Sequence, residues 1–272
     1  MIKKQKITKL DDILKLFIEQ EYESSINRYR SSFMYRGLPN VSFKLRTSLY
    51  RNCGTLQMNL EKSILRNFAK YAAIDNPELE SSIWQQMIIG QHHNLPTRLL
   101  DWTYSPLVGL HFATSGEALS SMESNDCVLW KIDINEFNSL LPVKYKNQLK
   151  EEQAYLFTID MLERIVNSIG KYDDDMSDKA MILLEPPSID QRIINQYSYF
   201  SIVPGGIVDI EDFMEKRTNN TVKYVIDKSL KWRIRDMLDQ MNINERTIYP
   251  GLDGLSDWLK RHYYVKSDYL LK

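Results

Sequence analysis

The sequence predicts an α+β fold, and two observations lead there. Segments with helical periodicity cluster in the first part of the chain, while short alternating or apolar runs fenced by turn residues concentrate later. No internal repeat, low-complexity tract or long linker interrupts the 272 residues. The expected organisation is an N-terminal helical segment over 1–28, then one continuous domain over 29–272 with a helical insertion at about 56–90.

Residues 9–28 place apolar side chains at Leu10, Ile13, Leu14, Leu16, Phe17 and Ile18, which predicts an amphipathic helix. SSFMYRGLP (31–39) reads as a strand closed by Gly37 and Pro39. Residues 43–53 read as a loop with short structure. Helices are predicted over 60–74, ended by Asp-Asn-Pro, and over 79–90, with Gly90 as C-cap. Residues 91–104 read as a shaped loop. A helix over 105–121 starts with proline at its first position. CVLWKIDI (127–134) alternates like a strand, and NEFNS (135–139) fits a short helix. Residues 148–170 read as helical, and 171–179 as an exposed polar loop. A short strand over 181–185 stops at Pro186 and Pro187. A short helix then runs into the strand YFSIV (199–203), with a turn at Gly205 and Gly206. The strand 221–227 and helices over 229–241 and 251–263 complete the pattern.

Composition sets wide bounds. A formal net charge of -1 gives no long-range attraction to nucleic acid or anionic membrane, although a local basic cleft is compatible with it. No apolar run reaches the ~18 residues of a membrane span, and the charged, interrupted N-terminus does not read as a signal peptide. Cys53 and Cys127 lie far apart, outside any metal-ligand spacing, and are expected as free thiols of a cytoplasmic protein. Sixteen Tyr and five Trp supply rings for a core or for a stacking pocket, without separating the two uses.

The stretch QHHNLPTRLLDWTYS (91–105) concentrates the polar chemistry. His92 and His93 are adjacent and face different directions on regular backbone, so no metal site is expected. Arg98 and Asp101, three apart, can pair with each other, and Trp102 fits core or a stacked ligand. Arg36 ends a strand and suits bidentate contact with phosphate or carboxylate, while Gly37 lets a ligand approach the backbone. Gln196 can read a polar ligand or hold a loop, but an amide is no general base.

Four blocks together resemble the FRG domain family: Tyr35-Arg36-Gly37, the stretch from Gln91 to Ala113, the segment of Arg192, Gln196 and Phe200, and YPGLDGL near the end. The second block matches the family's Q-H-[YF]-G-x-P-T-R-L-L-D-W-T pattern, with departures at His93 and Asn94. Asparagine tolerates left-handed backbone, so the turn is expected to survive the loss of glycine. Tyr35 stands where the family's name-giving motif has phenylalanine. The resemblance implies a prokaryotic or phage-associated defence or toxin component, in the manner of toxin–antitoxin and antiviral systems.

A more remote resemblance is to ADP-ribosyltransferases. Arg36-Gly37, then Gly109-Leu110-His111-Phe112-Ala113, then Asn195-Gln196-Tyr197 follow the order of their first-strand, Gly-x-Tyr-Phe-Ala-like and Glu segments. It implies a split antiparallel or mixed β core and NAD⁺ as substrate. It also implies contacts from Arg36, Gly37, His92, Arg98, Trp102, His111 and Phe112, with Arg36, Asp101 and Gln196 at the reacting bond. Gln196 occupies the position where those enzymes carry glutamate, which moves the acid role to Asp101, Glu185 or Asp190. The leading expectation is an ADP-ribosyltransferase-like toxin or phage-defence effector acting on nucleic acid or protein. Two alternatives stand beside it: a non-catalytic nucleotide-sensing or interaction module, and a nuclease or phosphotransfer enzyme using Arg98, His92 and Asp101. A toxin implies a neutralising antitoxin or a chaperone. The 171–179 loop and the first helix are the candidates for its docking.

Overall fold

The computed structural model describes residues 1–17, 21–72, 79 and 82–266. The chain opens with strand β1 (Lys3–Ile7), helix α1 (Leu10–Lys15), and a hairpin of β2 (Glu21–Glu23) and β3 (Arg28–Arg30). The helix expected over 9–28 therefore shrinks to one short turn-and-a-half, and residues 18–20 lie outside the described part. Its second half alternates as E-Y-E and R-Y-R, a strand pattern. Tyr22 and Tyr29 meet edge to face across the hairpin at 5.2 Å, and Asn27 turns the chain at φ 57°. β1 pairs in parallel with a strand of the main sheet, so the first residues belong to that sheet and not to a separate helical segment.

Next come β4 (Phe33–Leu38), α2 (Ser48–Cys53), α3 (Gln57–Ala72) and α4 (Ile83–His92). Residues 73, 74, 80 and 81 of the expected helices lie outside the described part. Gly90 is not the C-cap of α4. The chain turns at Asn94, φ 62°, and the Leu95 amide donates back to the Gly90 carbonyl at 2.8 Å. Leu95 packs where a Cβ on residue 90 would stand.

The loop expected over 91–104 is in part a strand, β5 (Leu99–Thr103). Leu99, Leu100, Trp102 and Thr103 are all buried, so the strand lacks the alternation that identifies a half-exposed one. After it come α5 (Pro106–Ala113), β6 (Cys127–Asp133), α6 (Ile134–Leu140), α7 (Val143–Glu151), α8 (Ile159–Ile165) and α9 (Ile169–Met176). The helix expected over 148–170 is three pieces, restarted by the N-caps Thr158 and Ser168. The polar loop expected over 171–179 is mostly α9, whose Tyr172 and Met176 are buried. The chain ends with β7 (Ile182–Leu184), α10 (Gln191–Asn195), β8 (Ser198–Ile202), α11 (Ile210–Arg217), β9 (Val222–Ile226), α12 (Lys231–Gln240), α13 (Glu245–Ile248) and α14 (Leu252–His262).

The fold is mixed α+β, built on a seven-stranded sheet in the order β1-β9-β6-β4-β5-β8-β7. Every neighbour pairs antiparallel except β1 with β9. Pairing is continuous from Phe33 to Leu38 against β6 and from Leu99 to Thr103 against β8. Between β4 and β5 it is reduced to one pair, Tyr35 with Thr103. The sheet thus parts along a seam at its centre.

The two faces treat the seam differently. On one, Met34, Leu100, Trp102, Trp130, Ile132 and Leu183 join a single apolar cluster that spans both halves. On the other, the apolar core divides. Tyr35, Leu110, Leu129, Tyr224 and Ile234 cluster on the β4 side, and Trp84, Leu99, Ile182, Phe200 and Ile202 on the β5 side. Helix α5 lies on β4 at unusually close range. A Cβ on Gly37 would overlap the Gly109 carbonyl and the Ala113 backbone, and one on Gly109 would strike Leu129 and Tyr35. The close approach that Gly37 permits is therefore taken by α5, where the sequence had suggested a ligand.

Candidate functional site

Polar side chains gather where the strands part. Arg36 alternates with Tyr35 and Gly37 along β4, and its guanidinium crosses the seam to β5. Its Nη1 donates to the Asp101 carbonyl at 2.6 Å and to Asp101 Oδ2 at 3.2 Å. Gln91, from the last turn of α4, donates through Nε2 to Asp101 Oδ1 at 3.1 Å. Thr97 Oγ1 donates to Gln91 Oε1 at 2.6 Å, which fixes the direction of that amide. Asp101 is the single exposed position in β5, with its side chain 51% accessible. A carboxylate on a central strand, held by two donors and still open, is positioned and not merely tolerated. Burial lowers the pKa of Arg36, an effect that Asp101 opposes, and a guanidinium stays charged at physiological pH regardless.

These groups open into a cleft of about 870 Å³, bordered by both halves of the sheet, α4, α5 and the C-terminal helices. Arg36, His92, Asp101 and Gln196 all line it. His92 Nε2 contacts Asp190 Oδ2 at 2.5 Å, while burial pulls its pKa down against that carboxylate. Gln196 donates through Nε2 to the Ile248 carbonyl at 3.2 Å, and its own carbonyl accepts from Thr103 Oγ1 at 2.8 Å. It anchors the edge of the cleft to α13. His111 and Phe112 lie on the cleft wall from α5, their rings edge to face at 5.6 Å.

Two expected site residues are placed otherwise. Arg98 does not pair with Asp101 and does not line the cleft. It is buried between Glu61 of α3 and Asp173 of α9, donating from Nε to Glu61 Oε1 at 2.7 Å and from Nη1 to Asp173 Oδ1 at 2.5 Å. Its four side-chain hydrogen bonds all go to that ion cluster, so Arg98, His92 and Asp101 form no catalytic group together. Trp102 reaches the cleft border, but its ring is 3% exposed in the apolar cluster, and its Nε1 donates to Ser201 Oγ at 3.0 Å. It is a core residue with a satisfied polar edge. Gly37 borders the cleft through a backbone already packed on α5.

The charge balance of the cleft departs from that of the chain. Arg36, Arg51, Arg192, Arg235, Lys260 and Arg261 line it against Asp101, Glu117, Glu245 and Asp257. The lining carries two surplus positive charges in a chain whose net charge is -1. Among the described residues no group of three or more His, Cys, Asp or Glu side chains is arranged to hold a metal ion. No helix among them is long and apolar enough to cross a membrane.

Residues 31–121 match the FRG domain. The matched FRG segment runs from just before β4 through α5. It therefore holds both strands of the seam and Arg36, Gln91, Asp101 and His111. It stops before the blocks at 192–200 and 249–255, which the sequence motifs also suggested. No curated protein and no solved structure matches the chain.

The FRG segment supplies only part of the cleft. Arg192 of α10, Arg235 of α12 and Tyr249 after α13 complete it from beyond residue 121; Arg192 and Tyr249 fall in two of the blocks that carry the resemblance, with no site role expected of them, and Arg235 was not singled out in the sequence. For Arg235 a signal existed. Lys231, Ile234, Arg235 and Leu238 share the buried stripe of α12, and a cation on the apolar stripe of a helix marks a partner inside the fold. Arg192 and Tyr249 were marked only by their place in the resembling blocks, which assigned them no role.

Proposed function

We propose that the protein binds NAD⁺ in this cleft and transfers ADP-ribose from it, as an ADP-ribosyltransferase-like toxin or phage-defence effector. The observation that carries the reading is Asp101, an accessible carboxylate clamped by Arg36 and Gln91 at the seam of a cation-rich cleft. Breaking the bond between nicotinamide and ribose leaves positive charge on the sugar carbon as the electron pair departs with nicotinamide. A fixed carboxylate favours that state over the ground state. Of the three carboxylates considered for this part, Asp101 alone borders the cleft; Glu185 and Asp190 do not. Gln196 is an amide and supplies no charge, so it serves as a positioning residue at the cleft edge. The carboxylate also accepts the proton of an incoming acceptor hydroxyl, amine or similar nucleophile. The surplus cations suit the diphosphate of the substrate and a nucleic-acid acceptor equally.

Incubation with NAD⁺ labelled in its adenylate phosphate, together with RNA, DNA and lysate protein, tests the reading. Label transfer is expected from the unsubstituted chain. A loss of about 100-fold or more is expected in Asp101→Asn and in Arg36→Ala, the range for removing a group that stabilises developing charge. Transfer that persists in Asp101→Asn sinks the assignment of that residue.

A second reading has one observation in its favour, the glutamine at position 196. It makes the protein a nucleotide-sensing module that kept the pocket and lost the reaction. Calorimetric binding of NAD⁺ with no label transfer to any acceptor is the result that selects it.

A further inference from the structure

Three buried donors around Tyr249 have no acceptor. His111 is fully buried and Arg235 is 1% exposed. Arg235 Nη1 lies 2.8 Å from His111 Nδ1. A guanidinium only donates, so His111 Nδ1 accepts and its proton sits on Nε2. That Nε2–H is buried and unpartnered, as are the Nε–H groups of Arg235 and Arg192. All three side chains border the cleft. The Tyr249 ring joins them: its centroid lies 6.2 Å from the His111 ring and 5.4 Å from the guanidinium carbon of Arg192.

Buried N–H groups are nearly always paired, so three orphans on one wall point to a shared acceptor. Because every orphan is a donor, that acceptor is rich in oxygen. The nearby carboxylates are already engaged, Glu245 with Arg235 and Arg261, and Asp239 with Arg261. Arg192 has its guanidinium over Tyr249 and no ion-pair partner among the described residues, so its charge is left for a ligand.

We infer that His111, Arg192 and Arg235, grouped about the Tyr249 ring, form a subsite for the diphosphate of a nucleotide. The inference rests on the cleft being a nucleotide site, as proposed above. A diphosphate presents several oxygens over a short span, and planar guanidinium groups match phosphate oxygens in pairs. Stacking on Tyr249 holds the Arg192 group in one orientation before the ligand arrives.

Calorimetric titration of the full chain with ADP and with adenosine tests this, alongside Arg192→Gln and Arg233→Gln. Arg233 is exposed on α12 and controls for the loss of one positive charge. ADP is expected to bind the unsubstituted chain and Arg233→Gln alike, and Arg192→Gln at least about tenfold more weakly. Equal ADP affinity in Arg192→Gln overturns the inference. So does absence of ADP binding, or adenosine binding as tightly as ADP. Should Arg192→Gln lower the melting temperature, competition on the unsubstituted chain decides: inorganic pyrophosphate must displace ADP, and failure to do so overturns the subsite. ADP binding that depends on Arg192, without label transfer from NAD⁺, overturns the transferase reading and leaves the subsite standing. Label transfer with NAD⁺ affinity unchanged in Arg192→Gln does the reverse.

Discussion

At His111 a titratable ring is held neutral inside the protein. Burial is the larger cause and the charges of Arg235 and Arg261 add to it, so its pKa lies well below the usual 6.5. The unfolded chain takes up this proton near pH 6.5, whereas the folded chain resists until much lower pH. In the window between, the unfolded state binds more protons, so stability falls as pH drops below about 6.5 and is flat above about 7.5. The slope reaches at most about 1.4 kcal/mol per pH unit for one group. His92, also shifted down by burial, contributes with the same sign. Urea unfolding at steps from pH 8 to pH 5 is expected to show a shallower decline in His111→Gln than in the unsubstituted chain, and identical slopes would rule His111 out. Single residues were legible where the motif was contiguous. Arg36 and the run from Gln91 to Asp101 are each one short stretch, and the fold brings the two stretches together across the seam. Asn94 was read correctly as a left-handed turn residue, φ 62°, because its backbone demand is local. Arg98 was misread because its nearest carboxylate in sequence, Asp101, is not its nearest in space.

At the scale of elements, that Arg98 cluster is a tie. It fastens α3 and α9 to β5 through Glu61 and Asp173, with the Gly205 amide also donating to Asp173 at 2.9 Å. Removing one partner leaves a buried charge uncompensated, and such losses run to about 3–5 kcal/mol. Glu61→Ala is expected to lose that much stability in urea unfolding. A loss below about 1 kcal/mol would mean that water replaces the carboxylate. Elements were legible where burial was one-sided, as in β9, whose burial alternates along the strand. They were not where tertiary packing overrode the local pattern. β5 buries every residue but Asp101, on both faces, and reads as no strand. α9 hides Tyr172 and Met176 within a run of aspartates. The β2–β3 hairpin lies inside an apparent helical period.

For the whole molecule, the FRG segment holds β4 and β5 but not their other partners, β6 and β8. Expressed alone, residues 31–121 would expose two strand edges and the apolar residues that β6 and β8 cover. The fragment is therefore expected to lack cooperative unfolding by circular dichroism, and a cooperative melt would show that it folds alone. The sheet order was not readable in the sequence, because pairing partners are chosen by the complete set of surfaces and not by any one run. In that order the chain crosses the seam four times: from β4 to β5, back to β6, over to β7, and back again between β8 and β9. Neither half of the sheet is a continuous stretch of polypeptide. A ribosome making this protein therefore delivers β4 and β5 long before the strand that finishes the first half, and Arg235 and Tyr249 later still. The lining of the cleft is therefore complete only once the C-terminal helices are made. A chain interrupted anywhere before residue 249 lacks a wall of it, so binding in the cleft waits on the last part of the polypeptide.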